Sequence, residues 1–93
     1  MGRRSTMDTN YSLTVQSLES GEHYVNAYPT DNTAKLERKF ASRQEFLDAF
    51  SPYMDAAEKE RLNAELDRSQ YGVEVFRSFR LVDGALLQSL GFR

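Results

Sequence analysis

Only one side chain in this 93-residue sequence titrates near neutral pH in its unperturbed form, a lone histidine, so catalytic chemistry is sought there first. His23 follows Glu22 and lies four residues after Glu19, a set that could supply a general base or one nitrogen and two oxygens to a metal. Catalytic zinc wants two or three nitrogen ligands, and only one is available. Strand alternation would also send Glu22 and His23 to opposite faces. His23 therefore reads as a solvent-exposed turn histidine. Asp55, Glu58, Glu60 and Glu65 could offer a carboxylate pair for acid–base work. Interleaved with Lys59 and Arg61, they read instead as the solvated face of a helix, without the burial that raises a carboxyl pKa. No Gly-x-Ser-x-Gly occurs, and no base stands ready beside a serine. The five glycines are scattered rather than gathered in a phosphate loop. There is no cysteine, so thiolate nucleophiles, disulfides and Cys-based zinc sites are excluded. The expectation is a protein that is not an enzyme, with no catalytic residue, no metal and no cofactor.

Two stretches could bind instead. Phe76-Arg77-Ser78-Phe79-Arg80 interleaves aromatic and cationic side chains, which can stack bases and hold phosphates or form a protein hot spot. On a strand, Phe76 and Arg80 share one face, and Arg77 falls between Val75 and Phe79 on the other. The plain alternative puts Val73, Val75, Phe79 and Leu81 in the core, with Phe76 half covered and the arginine heads reaching water. The second stretch is an N-terminal hairpin. If Leu13, Val15, Val25 and Ala27 face helices, then Ser12, Thr14, Gln16, Tyr24, Asn26 and Tyr28 face outward. A face of Thr, Gln, Asn and Tyr is wet enough to stay open and aromatic enough to bind, although many antiparallel sheets simply solvate such a face. The candidate binding residues are thus Phe76, Arg77 and Arg80 on one surface and Tyr24 and Tyr28 on the other.

The elements that must position these groups follow from periodicity. Residues 11–18 alternate apolar and polar, as a half-buried strand does. Gly21 supplies the positive φ of a tight turn, and residues 23–28 return as the second strand. Pro29 stops it by removing a ladder donor. Residues 34–40 are ambiguous, since Leu36 and Phe40 also stand at helical i, i+4. Ser42-Arg43-Gln44-Glu45 has the form of a capping box, and a helix starting there favours a third strand before it. Phe46, Leu47 and Phe50 form the apolar stripe of the first helix. Ser51-Pro52 reads as the start of a second, running to about Arg68, with Met54, Ala57, Leu62 and Leu66 apolar and Arg61–Glu65 paired at i, i+4. Residues 73–82 form the strongest predicted strand. Asp83 caps a last helix holding Leu86, Leu87 and Leu90, closed by Gly91 at C′ with Phe92 packing back on Leu87.

The sequence thus predicts one small α+β domain over residues 10–93 in the order β-β-β-α-α-β-α. A mostly antiparallel sheet carries its helices on one face. Residues 1–9 read as a disordered tail, with Met7 a second candidate start. Five Tyr and six Phe exceed what the modest core of so short a chain encloses, which hints at an interface. No apolar run approaches the ~20 residues of a membrane helix. The basic N-terminus leads into Asp8-Thr9-Asn10 rather than an apolar segment, so a cytoplasmic address and no membrane contact are expected. Net charge is −2, which argues against nucleic acid unless the basic side chains gather on one side. The favoured reading is a protein-binding or regulatory module whose partner is another protein or a second copy. The alternative is a nucleic-acid accessory protein using Arg77, Arg80, Arg38, Lys39 and Arg43.

Overall fold

The computed structural model describes residues 9–69, 71–77 and 80–93. Eight residues of the expected tail, 1–8, lie outside the described part, as does the assignment of Phe79 to the core. The elements are β1 (Asn10–Ser17), β2 (His23–Pro29), β3 (Leu36–Phe40), α1 (Arg43–Phe50), α2 (Ala56–Arg68), β4 (Val73–Glu74), β5 (Val82–Asp83) and α3 (Gly84–Ser89). This is the expected α+β order with the last strand in two pieces. The sheet runs β3-β2-β1-β4 and is antiparallel throughout, with β5 also paired to β1.

Alternation fixes the sheet. Tyr11, Leu13, Val15, Val25 and Ala27 are buried, while Ser12, Thr14, Tyr24 and Asn26 between them are partly exposed and Gln16 and Tyr28 are open. β1 turns into β2 through Glu19-Ser20-Gly21. Leu18 N–H bonds to Glu22 O, and Gly21 N–H to Leu18 O. Gly21 has φ +92°, which a residue with a Cβ adopts only under strain. The ambiguous stretch is strand from Leu36 on, with Ala34 and Lys35 before it irregular: Leu36 and Phe40 are buried with the sheet face, and Arg93 exchanges both backbone hydrogen bonds with Glu37 on the outer edge.

All three helices add to that one face. Phe46 and Phe50 of α1, Leu62 and Leu66 of α2, and Leu87 of α3 join the sheet residues in a single core. Its centre is aromatic. Phe50 meets Phe40, Phe46, Phe76 and Phe92 edge-on at centroid distances of 5.5–6.3 Å, the arrangement ring quadrupoles prefer.

Several local expectations need correction. Ser42 does cap α1, its Oγ accepting from Glu45 N–H at 3.1 Å. The return arm of the box goes elsewhere: the Glu45 carboxylate accepts from Ala41 N–H and from Arg38. Ser51-Pro52 does not open the second helix but a single 3-10 turn, Ser51–Tyr53. The chain then extends at Met54, and Asp55 makes the full capping box with Glu58. Met54 is buried, as expected of the stripe, but Ala57 is exposed. The C-terminus behaves as read. Asp83 caps α3, Gly91 has φ +87°, and the N–H groups of Gly91 and Phe92 bond to Gln88 and Leu87 O, the pattern of a Schellman motif. Thr9, assigned to the tail, is buried and bonded to Asp31 and Thr33.

The largest difference concerns residues 73–82. Thr14 faces Glu74, so an unbroken register would put Arg77 opposite Tyr11, yet Val82 is there. The register therefore carries an excess of five residues between β4 and β5. The reason is visible at Val75-Phe76, where both side chains are buried in succession. Period-two alternation cannot bury neighbours on one face. The chain leaves the ladder to deliver Phe76 to Phe50, and Leu81, expected in the core, ends exposed.

Candidate functional site

The two binding surfaces read from the sequence meet different fates. Arg77 and Arg80 turn to carboxylates of α2 rather than presenting a strand face. Phe76, expected half covered, is only 3% exposed. Arg77 pairs with Glu65, which Arg61 also holds, and Arg80 pairs with Glu58 at 3.4 Å while donating to Tyr53 O. The Arg80 guanidinium also lies 5.2 Å above the Phe76 ring. Arg61 donates to Glu74 O and Val75 O, taking up carbonyls that the interrupted ladder leaves. Glu58 and Glu65, read as solvated, are thus the posts to which the loop is tied, their side chains 18% and 19% exposed. Asp55 and Glu60 stay exposed as expected. The other basic residues of the nucleic-acid reading are also engaged: Arg38 with Glu45, and Arg43 with Asp67 at 2.6 Å. Lys39 is exposed.

The sheet face opposite the helices is open. Register sets its side chains in rows across the strands: Gln16, Tyr24 and Lys39 in one, Glu74, Thr14, Asn26 and Glu37 in the next, and Ser12 with Tyr28 in the third. The rows are stitched by polar contacts. Tyr24 hydrogen-bonds to Glu37, which raises the phenol above its ordinary pKa. The same bond, helped by Lys35, holds the Glu37 carboxyl below its own. Lys35 reaches Glu37 and the Asn26 side chain at 3.2 and 3.1 Å and lies over the Tyr28 ring. The sheet therefore brings Tyr24 and Tyr28 together on one surface, apart from Phe76, Arg77 and Arg80, which gather on the α2 side.

His23 is not the exposed turn residue expected. It is 4% exposed, stacked on Phe46, and bonded to Ser17, Gly21 and Arg43. The signal was present in the sequence: His23 has the parity of Val25 and Ala27, whose side chains enter the core. Ser17 Oγ stands 3.1 Å from His23 Nε2, the spacing of a nucleophile and its base. Arg43, however, points an N–H at that same nitrogen, competing with the serine for its lone pair. No group of three or more His, Asp or Glu among the described residues could hold a metal ion. Nor is any described helix long and apolar enough to cross a membrane. Compared with known proteins, the chain matches no family model, no curated protein and no solved structure.

Proposed function

We propose that this chain is a small non-enzymatic protein-binding or regulatory module that meets its partner through the helix-free face of its sheet. One observation carries the reading: Tyr24 and Tyr28, with Gln16, Thr14, Asn26 and Lys39, form a semi-polar aromatic surface that none of the three helices crosses. Tyrosine gives contact area at low entropic cost and is enriched where proteins meet. The sheet edges are less available. Arg93 occupies the outer edge of β3 at Glu37, and Arg61 takes carbonyls of β4 and the residue after it. Contact by the face is therefore favoured over addition of a strand.

Charge layout favours a different protein over a second copy. Stacking two copies about an axis along the strands sets the acidic ends Glu37 and Glu74 over each other. Stacking about an axis across them sets Lys39 near Lys35. Either way like charges meet, which costs affinity. The alternative, a nucleic-acid accessory role, would draw on Arg77, Arg80, Arg38, Lys39 and Arg43, four of which already face carboxylates. The absence of cysteine from the whole sequence fits a module working in the cytoplasm, where disulfides add nothing.

The test is capture on the immobilised full chain, with and without nuclease, beside two variants. A protein retained by wild type and by R77A/R80A but lost by Y24A/Y28A supports the face. Material lost on nuclease treatment and on R77A/R80A would replace the reading with the nucleic-acid one. Concentration-dependent dimerisation that Y24A/Y28A abolishes would make the partner a second copy.

A further inference from the structure

One imidazole closes the end of the β1–β2 hairpin against the helices, and its hydrogen bonds permit a single protonation state. His23 Nδ1 lies 3.1 Å from Gly21 O. A carbonyl can only accept, so Nδ1 carries the proton. Arg43 Nε, which can only donate, is directed at Nε2 from 3.4 Å, so Nε2 offers its lone pair. Ser17 Oγ approaches the same nitrogen at 3.1 Å. The ring stacks on Phe46 at 6.1 Å between centroids and 15° between planes. Through Arg43 the contact continues to Asp67 of α2. Hairpin, α1 and α2 are thus joined through a neutral imidazole in one tautomer.

We propose that His23 and Arg43 form an acid-sensitive latch between the hairpin tip and α1, closed at neutral pH and released when the imidazole is protonated. Adding a proton at Nε2 turns N–H against the Arg43 N–H, leaves Ser17 Oγ as the acceptor at that nitrogen, and puts a positive charge on a buried ring beside the partly exposed guanidinium. The surrounding charges do not relieve this. Asp67 lies beyond Arg43, Glu22 is bonded to Ser20 in the turn, and Lys39 of β3 belongs to the opposite sheet face with Tyr24. Glu19 is on the exposed turn. Burial holds the His23 pKa below its ordinary 6.5; the Gly21 bond pulls it up and the Arg43 charge adds to burial. Well above pH 6.5 folded and unfolded chains are both neutral here, so this histidine adds no pH dependence to stability. As pH falls below 6.5 the unfolded chain takes up the proton first, and stability declines until pH passes the folded pKa. The latch stands independently of what the sheet face binds.

His23 is the only histidine, so its ring resonances can be followed without assignment ambiguity. Imidazole NMR is expected to show the Nδ1–H tautomer at pH 7.5 and a titration midpoint below 6.5. Arg43→Met should move that midpoint upward. Below pH 6.5, amide protection at residues 17–23, corrected for intrinsic exchange, should fall by up to about tenfold per pH unit. His23→Gln keeps an acceptor toward Arg43 without a titrating group, and should abolish that acid sensitivity. An Nε2–H tautomer, a wild-type midpoint at or above 6.5, or equal tip protection at pH 7.5 and pH 5 would overturn the proposal. Neither arm depends on Arg43→Met folding, because tautomer and midpoint are read on the wild-type chain.

Discussion

β1 is paired on both sides, and its two neighbours are built in opposite ways. Toward β2 the register is continuous over seven pairs, from Tyr11–Pro29 to Ser17–His23. Toward the C-terminal segment it is carried by two short strands that bracket a five-residue excess. The first flank is a backbone structure, held by its ladder and a turn that needs one glycine. The second is a side-chain structure. Phe76 enters the ring cluster, Arg61 covers Val75 O and Glu74 O, and Arg77 and Arg80 bind the carboxylates of α2. Ladder hydrogen bonds given up to water cost little, because each is worth only about 0.5–1.5 kcal/mol net. Fully burying a large apolar side chain contributes about 1.5–3 kcal/mol. Burying one phenylalanine therefore offsets the loss of one or two ladder bonds.

That contrast is sharpest in Phe76→Ala. Deleting a ring packed on Phe50 should cost about 3–5 kcal/mol in urea unfolding. An exposed hairpin substitution such as Gln16→Ala should stay within about 0.5 kcal/mol. A loss below 1 kcal/mol at Phe76 would mean that the loop merely rests on the core. The backbone flank has its own weak point in Gly21→Ala. A Cβ there meets nothing within 4 Å, so the cost is the positive φ alone, about 1–2 kcal/mol. Gly21→Asn, which tolerates that region better, should cost less. Equal losses for both variants would show that space, not conformation, is limiting.

The two flanks also differ in how far they can be read from residues alone. Leu13, Val15, Val25 and Ala27 alternate cleanly around a glycine turn, so the hairpin and its open face follow from parity. The same parity places His23 inside, but its position beside the turn and two glutamates outweighed it. Asp83, Gly91 and Phe92 mark the last helix by local chemistry that needs no tertiary context. Residues 73–82 are β-rich in composition, and only the adjacent Val75 and Phe76 betray that alternation must fail. Where the excess residues then go depends on Phe50, Glu58 and Glu65, which lie distant in sequence, and no local pattern contains them. Likewise Ser51 and Asp55 are both good caps. The choice between them is made by Met54, whose burial requires an extended residue before α2. Within the candidate site, Tyr24 and Tyr28 were legible because they sit on the continuous strand, and the fate of Arg77 and Arg80 was not.

Tyr11 tests the seam where β5 returns to β1. Its side chain is fully buried and its hydroxyl has no hydrogen-bond partner among the described residues. Such a group keeps its desolvation cost, about 1–3 kcal/mol, without a compensating bond. Tyr11→Phe should therefore leave stability unchanged or raise it by about 1 kcal/mol, measured by thermal and urea unfolding. A loss above about 1 kcal/mol would identify a partner for the hydroxyl at this seam.

The smallest effect expected is at the arginines themselves. Arg80 is half exposed and its pairing with Glu58 crosses 3.4 Å at the surface, where ion pairs contribute about 0–1 kcal/mol. Arg80→Ala should fall in that range even though the side chain also covers Phe76. A double-mutant cycle with Glu58→Gln isolates the pair, since glutamine can keep the return arm of the α2 capping box. The coupling should be under about 1 kcal/mol and fade in 0.5 M salt, because exposed charges are screened over a few ångströms there. A coupling of 2 kcal/mol that survives salt would reverse the order of causes on this flank. The loop would then be held chiefly by its charges, with Phe76 carried into the core as a consequence.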